Sequence, residues 1–588
     1  MKILIEEWPY KANSLKGLEL SPYLFRSKND EVQIPYVGYF YSQDIKDTVF
    51  ILPKVFMWEG YLANDPKKEL KYLAFGQWEP ETLIDIKAES ILREQGYDRV
   101  LFELSTWIYR AIKRYSERNE DSRIIENAKV QNVISNRGNY SETFLDIILS
   151  LIRFHKTHQQ LFTFIARINS SGNNKIHWSK TLSKVQPFIN YEEVFYAEFR
   201  NKQRVVNFDE EIIVLFYSVL NWLKEKYSFP VRTNLNYPVL KSRQVESMID
   251  SGRGTRLLRS IRKKYFTDEL VSLWKLLYAF FEKAESIANH NYHDESLLVH
   301  SFNLVFEDMI DSIISDNDDV SRALKTNKDD KRIDHLYKGQ SLIDEDLIYY
   351  IADSKYYKES TDIQGTALYK QYTYARNIIQ YNIELFNRDA NSKQLSNKNR
   401  KTIEGVRYRD DITEGYNVTP NFFIRGSIAP EDINKGKANY DYPRLTPEID
   451  PDDRRKEFFR VSSHFDNRLF DRDTLVLKSY NINFLFVLSA YVQNKDNSEF
   501  RKKVKDTFRK HLILTFNKLY NFYIVTPVNM SVFSFVQKYF KHLIGKIYRS
   551  SNSDETLWLA LSKNDRKTER EIKKLISTDS IISKTELQ

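Results

Sequence analysis

The sequence predicts a mixed α+β chain: a small N-terminal β segment, a large helical middle, an α/β core after residue 289, and helical elements to the C-terminus. Three observations predict it. Val37–Tyr41 and Val49–Leu52 are β-branched and aromatic runs on either side of a polar turn, Ser42–Asp47. From about residue 80 to 285 apolar residues recur at steps of three and four, as in Val100, Leu104, Trp107, Ile108, Ala111, Ile112 and Tyr115. Between about 290 and 390 the pattern reads helix, strand, strand, helix.

Taken in order, Pro53 limits the second N-terminal run, because proline cannot donate to a sheet ladder. A long helix is expected from Glu142 to Ile168, with further helices at 209–227 and 267–288. Leu298, Phe302, Val305, Met309 and Ile313 form one helical stripe. Arg332–Tyr337 reads as a strand, and Leu347–Ala352 as a stronger one, since a continuous apolar run suits a strand buried on both faces. A helix from about Thr366 to Phe386 follows. Residues 391–411 and 430–456 read as polar loops or inserts, 474–492 and 499–548 as helical, and the charged tail from Ser550 as partly frayed. The implied regions are 1–60, an N-terminal β segment; 61–288, a helical region for docking or recognition; 289–430, the core; and 431–588, a C-terminal helical extension.

Composition narrows the chemistry. The 588 residues include no cysteine, which removes disulfide scaffolds, cysteine-ligated zinc, iron–sulfur clusters and thiol nucleophiles. Lys+Arg is 89 against 80 Asp+Glu, a net +9 that permits a nucleic-acid partner without demanding one. Glu6 and Glu7 follow Met1–Ile5 directly, so no secretory apolar region forms there. The longest uncharged run, Asn481–Asn494, is too short and too polar at its ends to span a bilayer. A cytoplasmic chain with no membrane partner is expected.

The sharpest chemical signal is Ile351-Ala352-Asp353-Ser354-Lys355-Tyr356. Strand side chains alternate, so Asp353 and Lys355 share one face. Asp334 stands on the preceding strand. Two adjacent strands with one acid each can place both carboxylates around a divalent ion, and Mg²⁺ favours one or two carboxylates completed by water and phosphate oxygens. Such an ion acidifies a bound water and stabilises charge developing at phosphorus, while the lysine orients that water or neutralises the transition state.

The ordered set Glu307, Asp334, Asp353-Ser354-Lys355 resembles the PD-(D/E)xK nuclease superfamily, although position 333 is Ile where that pattern has Pro. Lys370-Gln371-Tyr372 is similar to the Gln/Tyr helix that follows the lysine in one branch of these enzymes. The closer resemblance is to LlaJI-type restriction endonucleases, relatives of the McrC nuclease subunit. It rests on Phe306-Glu307, Ile351–Tyr357 and Lys370–Tyr372, with looser support from Val37–Lys54, Lys175–Thr181 and Asn467–Asp473. The resemblance implies a PD-(D/E)xK α/β nuclease core. It implies catalytic roles for Glu307, Asp334, Asp353, Lys355 and Gln371, and a Mg²⁺ ion (Mn²⁺ substituting) on Asp334, Asp353, Glu307 and the Ser354 carbonyl. It further implies cutting of double-stranded DNA in concert with a McrB-like AAA+ GTPase. The chain has no G-x-x-x-x-G-K-[ST] run, and its Gly436-Lys437 pair lacks the upstream glycine, so no nucleotide is expected on this chain and the motor would be a separate one.

Blander readings stand beside these. Asp353 and Lys355 would serve as an exposed strand-end ion pair, Asp334 as a turn residue, and Glu307 and Gln371 as solvated helix positions. Arg253, Arg256, Arg259, Arg262, Lys263 and Lys264 put six positive charges and no acid into twelve residues. That stripe suits DNA phosphates, an acidic partner or plain solvation. Arg332, Lys338 and Lys358 flank the proposed site. His290, His293 and His300 are irregularly spaced and read as a polar helix start, not a metal site. Two alternatives therefore remain: a non-catalytic scaffold that binds DNA or the motor through residues 253–264, and a repair nuclease of the same superfamily without a GTPase.

Overall fold

The computed structural model describes residues 2–15, 18, 26–28, 31–42, 47–62, 65–73, 79–84, 97–118, 125–126, 144–159, 161, 163–170, 175–227, 236–288, 296–316, 333–357, 365–391, 406–434, 437–450, 456–493 and 498–588. It is a mixed α+β structure built around three larger sheets.

The N-terminal sheet runs in the order Lys2–Ile5, Asp47–Leu52, Tyr36–Ser42, Ser296–His300, Ile125–Glu126. Its one remote main strand, Ser296–His300, pairs antiparallel with Tyr36–Phe40. Gly38 makes that pairing feasible, because its φ is +139° and a side chain there would meet the Leu297 carbonyl oxygen at 2.1 Å. Leu298 is therefore a strand residue, and the helix of the apolar stripe begins later, at Asn303–Ile314. His300 belongs to the same strand, edge-on to Tyr36, so it does not start a helix; His290 and His293 lie outside the described residues.

The helices Asp98–Arg118, Phe144–Thr157, Glu211–Tyr227 and Asp268–Ala288 form the middle. The expected helix from Glu142 to Ile168 stops at Thr157, and Phe164–Asn169 pairs instead with Asn201–Val206. The central sheet has the order His335–Gln340, Leu347–Lys355, Asn421–Ser427, Leu475–Asn483, Leu445–Pro447, with Phe459–Ser462 also on Leu475–Asn483. Its first pair is antiparallel and the next two pairs are parallel. Leu475–Asn483 was expected as helix. It is a strand buried on both faces, and such a strand loses the alternation that marks its period. The helix follows it, at Phe484–Gln493.

Helices Asn303–Ile314, Gly365–Asn391 and Ser498–Leu519 flank this sheet, with Phe422 stacked on Phe508 at 4.6 Å and Tyr337 on Tyr350 at 4.9 Å. The C-terminal stretch is not purely helical, nor is its tail frayed. Tyr520–Pro527, Ile547–Tyr548, Leu557–Ser562 and Ser580–Thr585 form a four-stranded sheet, and helices Val532–Leu543 and Arg566–Ile576 close a separate core over it.

Candidate active site

Ile351 to Ser354 is buried, with Lys355 half-buried, because three neighbours hold the strand. The His335–Gln340 strand pairs on one side, Asn421–Ser427 on the other, and the helix Gly365–Asn391 packs across it. The ladder pairs His335 with Ala352, which sets Asp334, one residue earlier, opposite Asp353. Asp353 is buried. Among the described residues its Oδ2 receives no hydrogen bond, and it lies in ion-pair contact with the Lys355 ammonium. Lys355 also stands 5.1 Å from the centroid of the Phe423 ring.

The acids crowd one another. Burial, then the Asp353 charge and a proton shared with that carboxyl, hold Asp334 well above the usual aspartate range; Glu307 adds to this and Lys355 opposes it. Burial also raises Glu307, assisted by Asp353 and opposed by His335, by a hydrogen bond from the Asn303 side chain, and by Lys355. His335 is fully buried, with Nδ1 3.2 Å from Asp311 Oδ1. Glu307, Asp334, Asp353 and Lys355 are thus within electrostatic reach of one another. Among the described residues, however, no three acidic or histidine side chains stand as a closed metal cage.

Asp334 and Asp353 are the two carboxylates that could contribute to holding a divalent cation. Asp334, Asp353 and Glu307 repel one another, Lys355 opposes that repulsion, and among the described residues Asp353 Oδ2 receives no hydrogen bond. Mg²⁺ asks the protein for only one or two carboxylates and keeps several waters, so a closed cage is not required. The Ser354 side chain alternates to the opposite face from Asp353, and its hydroxyl is buried without a partner.

The remaining candidates fall elsewhere. Gln371 is buried and clasps the sheet: its Nε2 donates to Asn421 Oδ1 at 2.6 Å, and Asn421 Nδ2 donates back to the Gln371 carbonyl oxygen at 3.3 Å. Its amide therefore ties helix to strand rather than addressing the acids. Arg253, Arg256, Arg259, Arg262, Lys263 and Lys264 are exposed on the helix Arg253–Ile261 and the turn after it, packed on the helices Ser242–Asp250 and Asp268–Ala288. Four of the six have partners within the chain. Arg256 reaches the Ser251 carbonyl oxygen, Arg259 the Tyr278 hydroxyl, Arg262 the Trp274 ring and Lys264 the Glu211 carboxylate. Lys338 lies 5.8 Å from the Tyr349 ring centroid; Arg332 and Lys358 are outside the described residues.

Two residues were missed. Lys370 feels Asp334 and Asp353: burial disfavours its charge, but the Tyr374 hydroxyl and then those two carboxylates outweigh it and raise its pKa. Its place beside Gln371 in the Lys370–Tyr372 triplet was the available signal. Tyr356, next to Lys355, donates its hydroxyl to Glu6, which is buried in the N-terminal region.

No protein-family model matches the chain, and no curated protein sequence matches it. Among solved structures, it matches a chain of a refined half-complex from the tetradecameric assembly of Thermococcus gammatolerans McrB AAA+ hexamers with bound McrC. The match covers 87% of this chain and 99% of that one, at 12% identity and a TM-score of 0.27. At that level the match carries no conclusion about fold or chemistry. Among the described residues no helix is long and apolar enough to cross a membrane.

Proposed function

We propose that the chain is a Mg²⁺-dependent endodeoxyribonuclease subunit of a restriction system, cutting double-stranded DNA in concert with a separate McrB-like AAA+ GTPase. The observation that carries the nuclease reading is the placing of Asp334 opposite Asp353 across two paired strands, with Lys355 on Asp353 and Glu307 of the helix Asn303–Ile314 within electrostatic reach. The motor partner is drawn from the sequence resemblance over the core. Such crowding costs stability and persists where a site has use for it.

In this reading Asp334, Asp353, Glu307 and the Ser354 carbonyl would hold the ion. A bound Mg²⁺ would supply Lewis acidity at phosphorus and an acidified water. The Lys355 ammonium, in contact with Asp353 and 5.1 Å from the centroid of the Phe423 ring, donates a hydrogen bond that orients the attacking water and offsets charge at the scissile phosphate. Lys370 adds a second cation within electrostatic reach of Asp334 and Asp353, suited to a non-bridging phosphate oxygen.

The test is DNA cleavage with Mg²⁺, GTP and the co-purified motor. Lys355→Ala and Asp353→Ala are expected to slow cutting by about a hundredfold or more while DNA binding persists. Cutting at the wild-type rate by either variant overturns the nuclease reading and leaves the scaffold.

A further inference from the structure

A groove of about 1230 Å³ opens between the strand pair Phe164–Asn169/Asn201–Val206, the end of the helix Phe144–Thr157 and the start of the helix Asp268–Ala288. Lys156 comes from the helix end, Lys175 from the segment beside the strands, and Lys202 and Arg204 from the second strand. One carboxylate, Glu269, faces these four cations. None of the four has an ion-pair partner among the described residues. The ladder sets Ala166 opposite Arg204 and Phe164 opposite Val206, so Phe164, Lys202 and Arg204 share one face. On that face the Arg204 guanidinium sits 4.0 Å from the centroid of the Phe164 ring, and Phe164 is 46% exposed.

We propose that this groove binds single-stranded nucleic acid, with phosphates along Lys156, Lys175, Lys202 and Arg204 and an unstacked base against Phe164. Unpaired cations in an open groove seek a polyanion. An exposed ring backed by a guanidinium offers a stacking platform, and that platform distinguishes a single strand from a duplex whose bases are already stacked. The groove is built from elements other than those of the carboxylate site. It would hold a strand opened near the cut, and it rests on the nuclease reading only for the choice of DNA as probe.

The experiment measures fluorescence anisotropy of the full chain in EDTA with a labelled single-stranded oligonucleotide and with its duplex, across salt concentrations. The single strand is expected to bind more tightly. The double variant Lys202→Glu/Arg204→Glu is expected to weaken it about tenfold or more and to flatten the salt dependence. Phe164→Ala is expected to weaken it about tenfold with the salt dependence unchanged. Lys156→Glu/Lys175→Glu, on other elements of the groove, should repeat the charge effect, and circular dichroism checks that each variant folds. Unchanged binding in both charge variants, or duplex preference with no effect at Phe164, overturns the proposal. Intact DNA binding with loss of the GTPase partner also overturns it, in favour of a protein dock. If Asp353→Ala cuts normally while the groove variants lose the oligonucleotide, the nuclease site fails and the groove stands.

Discussion

Two buried aspartates in this chain are treated in opposite ways. Asp410 is fully buried and is surrounded by donors. Its Oδ1 accepts from the backbone of Ile412 at 2.8 Å and Thr413 at 2.6 Å, and its Oδ2 from the Thr413 hydroxyl and the Arg549 backbone N–H at 2.9 Å. Asp353, almost as buried, faces other carboxyls, and its Oδ2 has only an ion-pair contact. A buried carboxylate ringed by hydrogen bonds serves the fold, here tying the loop after residue 409 to the C-terminal sheet. A buried carboxylate left among its own kind is a cost that packing alone does not explain.

The largest effects should separate the two by activity. Lys355→Ala is expected to slow DNA cleavage by about 10²–10³-fold, the usual loss when one positioned transition-state donor is removed. Asp353→Asn should be at least as damaging to cleavage, yet it relieves the repulsion on Asp334 and Glu307, so its thermal midpoint should hold or rise. Asp410→Ala should do the reverse. It takes the acceptor from the Ile412, Thr413 and Arg549 backbone N–H groups and is expected to cost about 3 kcal/mol in urea melts, with activity lost only as the protein unfolds. If Asp353→Asn destabilises as Asp410→Ala does, the two sites are of one kind and the comparison fails.

A second separation uses pH. The folded pKa values of Asp334 and Glu307 are raised, so the native state holds protons that the unfolded chain gives up. Their contribution to stability is full below the unfolded carboxylate values, near about 4. It is lost as pH rises through the folded values. Mg²⁺ competes with those protons, so the thermal midpoint gained on adding Mg²⁺ should be larger at pH 8 than at pH 5. Asp353→Asn should shrink that gain; Asp410→Asn should leave it. Equal gains at both pH values would place the ion elsewhere.

Much of this was legible in the sequence where local rules decide. Leu347–Ala352 announced itself as an apolar run, which the observed strand extends to Lys355, and the shared face of Asp353 and Lys355 followed from strand geometry. The Asp334–Asp353 pairing was legible in kind, since Asp334 falls on a strand predicted next to the one that Asp353 follows; the observed strand begins one residue after Asp334, at His335. Other features were hidden for physical reasons. Burial on both faces erased the strand period of Leu475–Asn483. Leu298 lies four residues before Phe302, so a strand merged with the helical stripe after it. In the tail, Arg566–Ile576 is a basic helix that buries only Ile572 and Ile576, a pattern easily read as solvated chain. Glu6 required the fold itself, since only tertiary packing brings it to Tyr356, and the Lys370–Tyr372 triplet marked Lys370 without showing that it reaches the acids.

The smallest expected effect tests how far the site depends on that remote contact. Glu6 and Tyr356 are 350 residues apart in sequence, and both are buried. The Tyr356 hydroxyl and the Lys54 backbone N–H, at 3.1 Å, both donate to Glu6 Oε2, while the Tyr356 ring packs on Phe302 and Phe306. Burial raises the Glu6 pKa, with Lys54 and the tyrosine hydroxyl opposing. Tyr356→Phe keeps the ring and removes one donor from a buried carboxyl, so a loss of about 1–2 kcal/mol is expected in urea melts. Cleavage should fall by less than tenfold at saturating DNA, because the ladder that pairs Lys355 with Arg425 still fixes the strand. A loss as large as that of Lys355→Ala would mean that the position of Lys355 is set from the N-terminal region rather than by its own sheet. The contrast between a self-contained fold and a strained site would then have to include Glu6 on the side of the site.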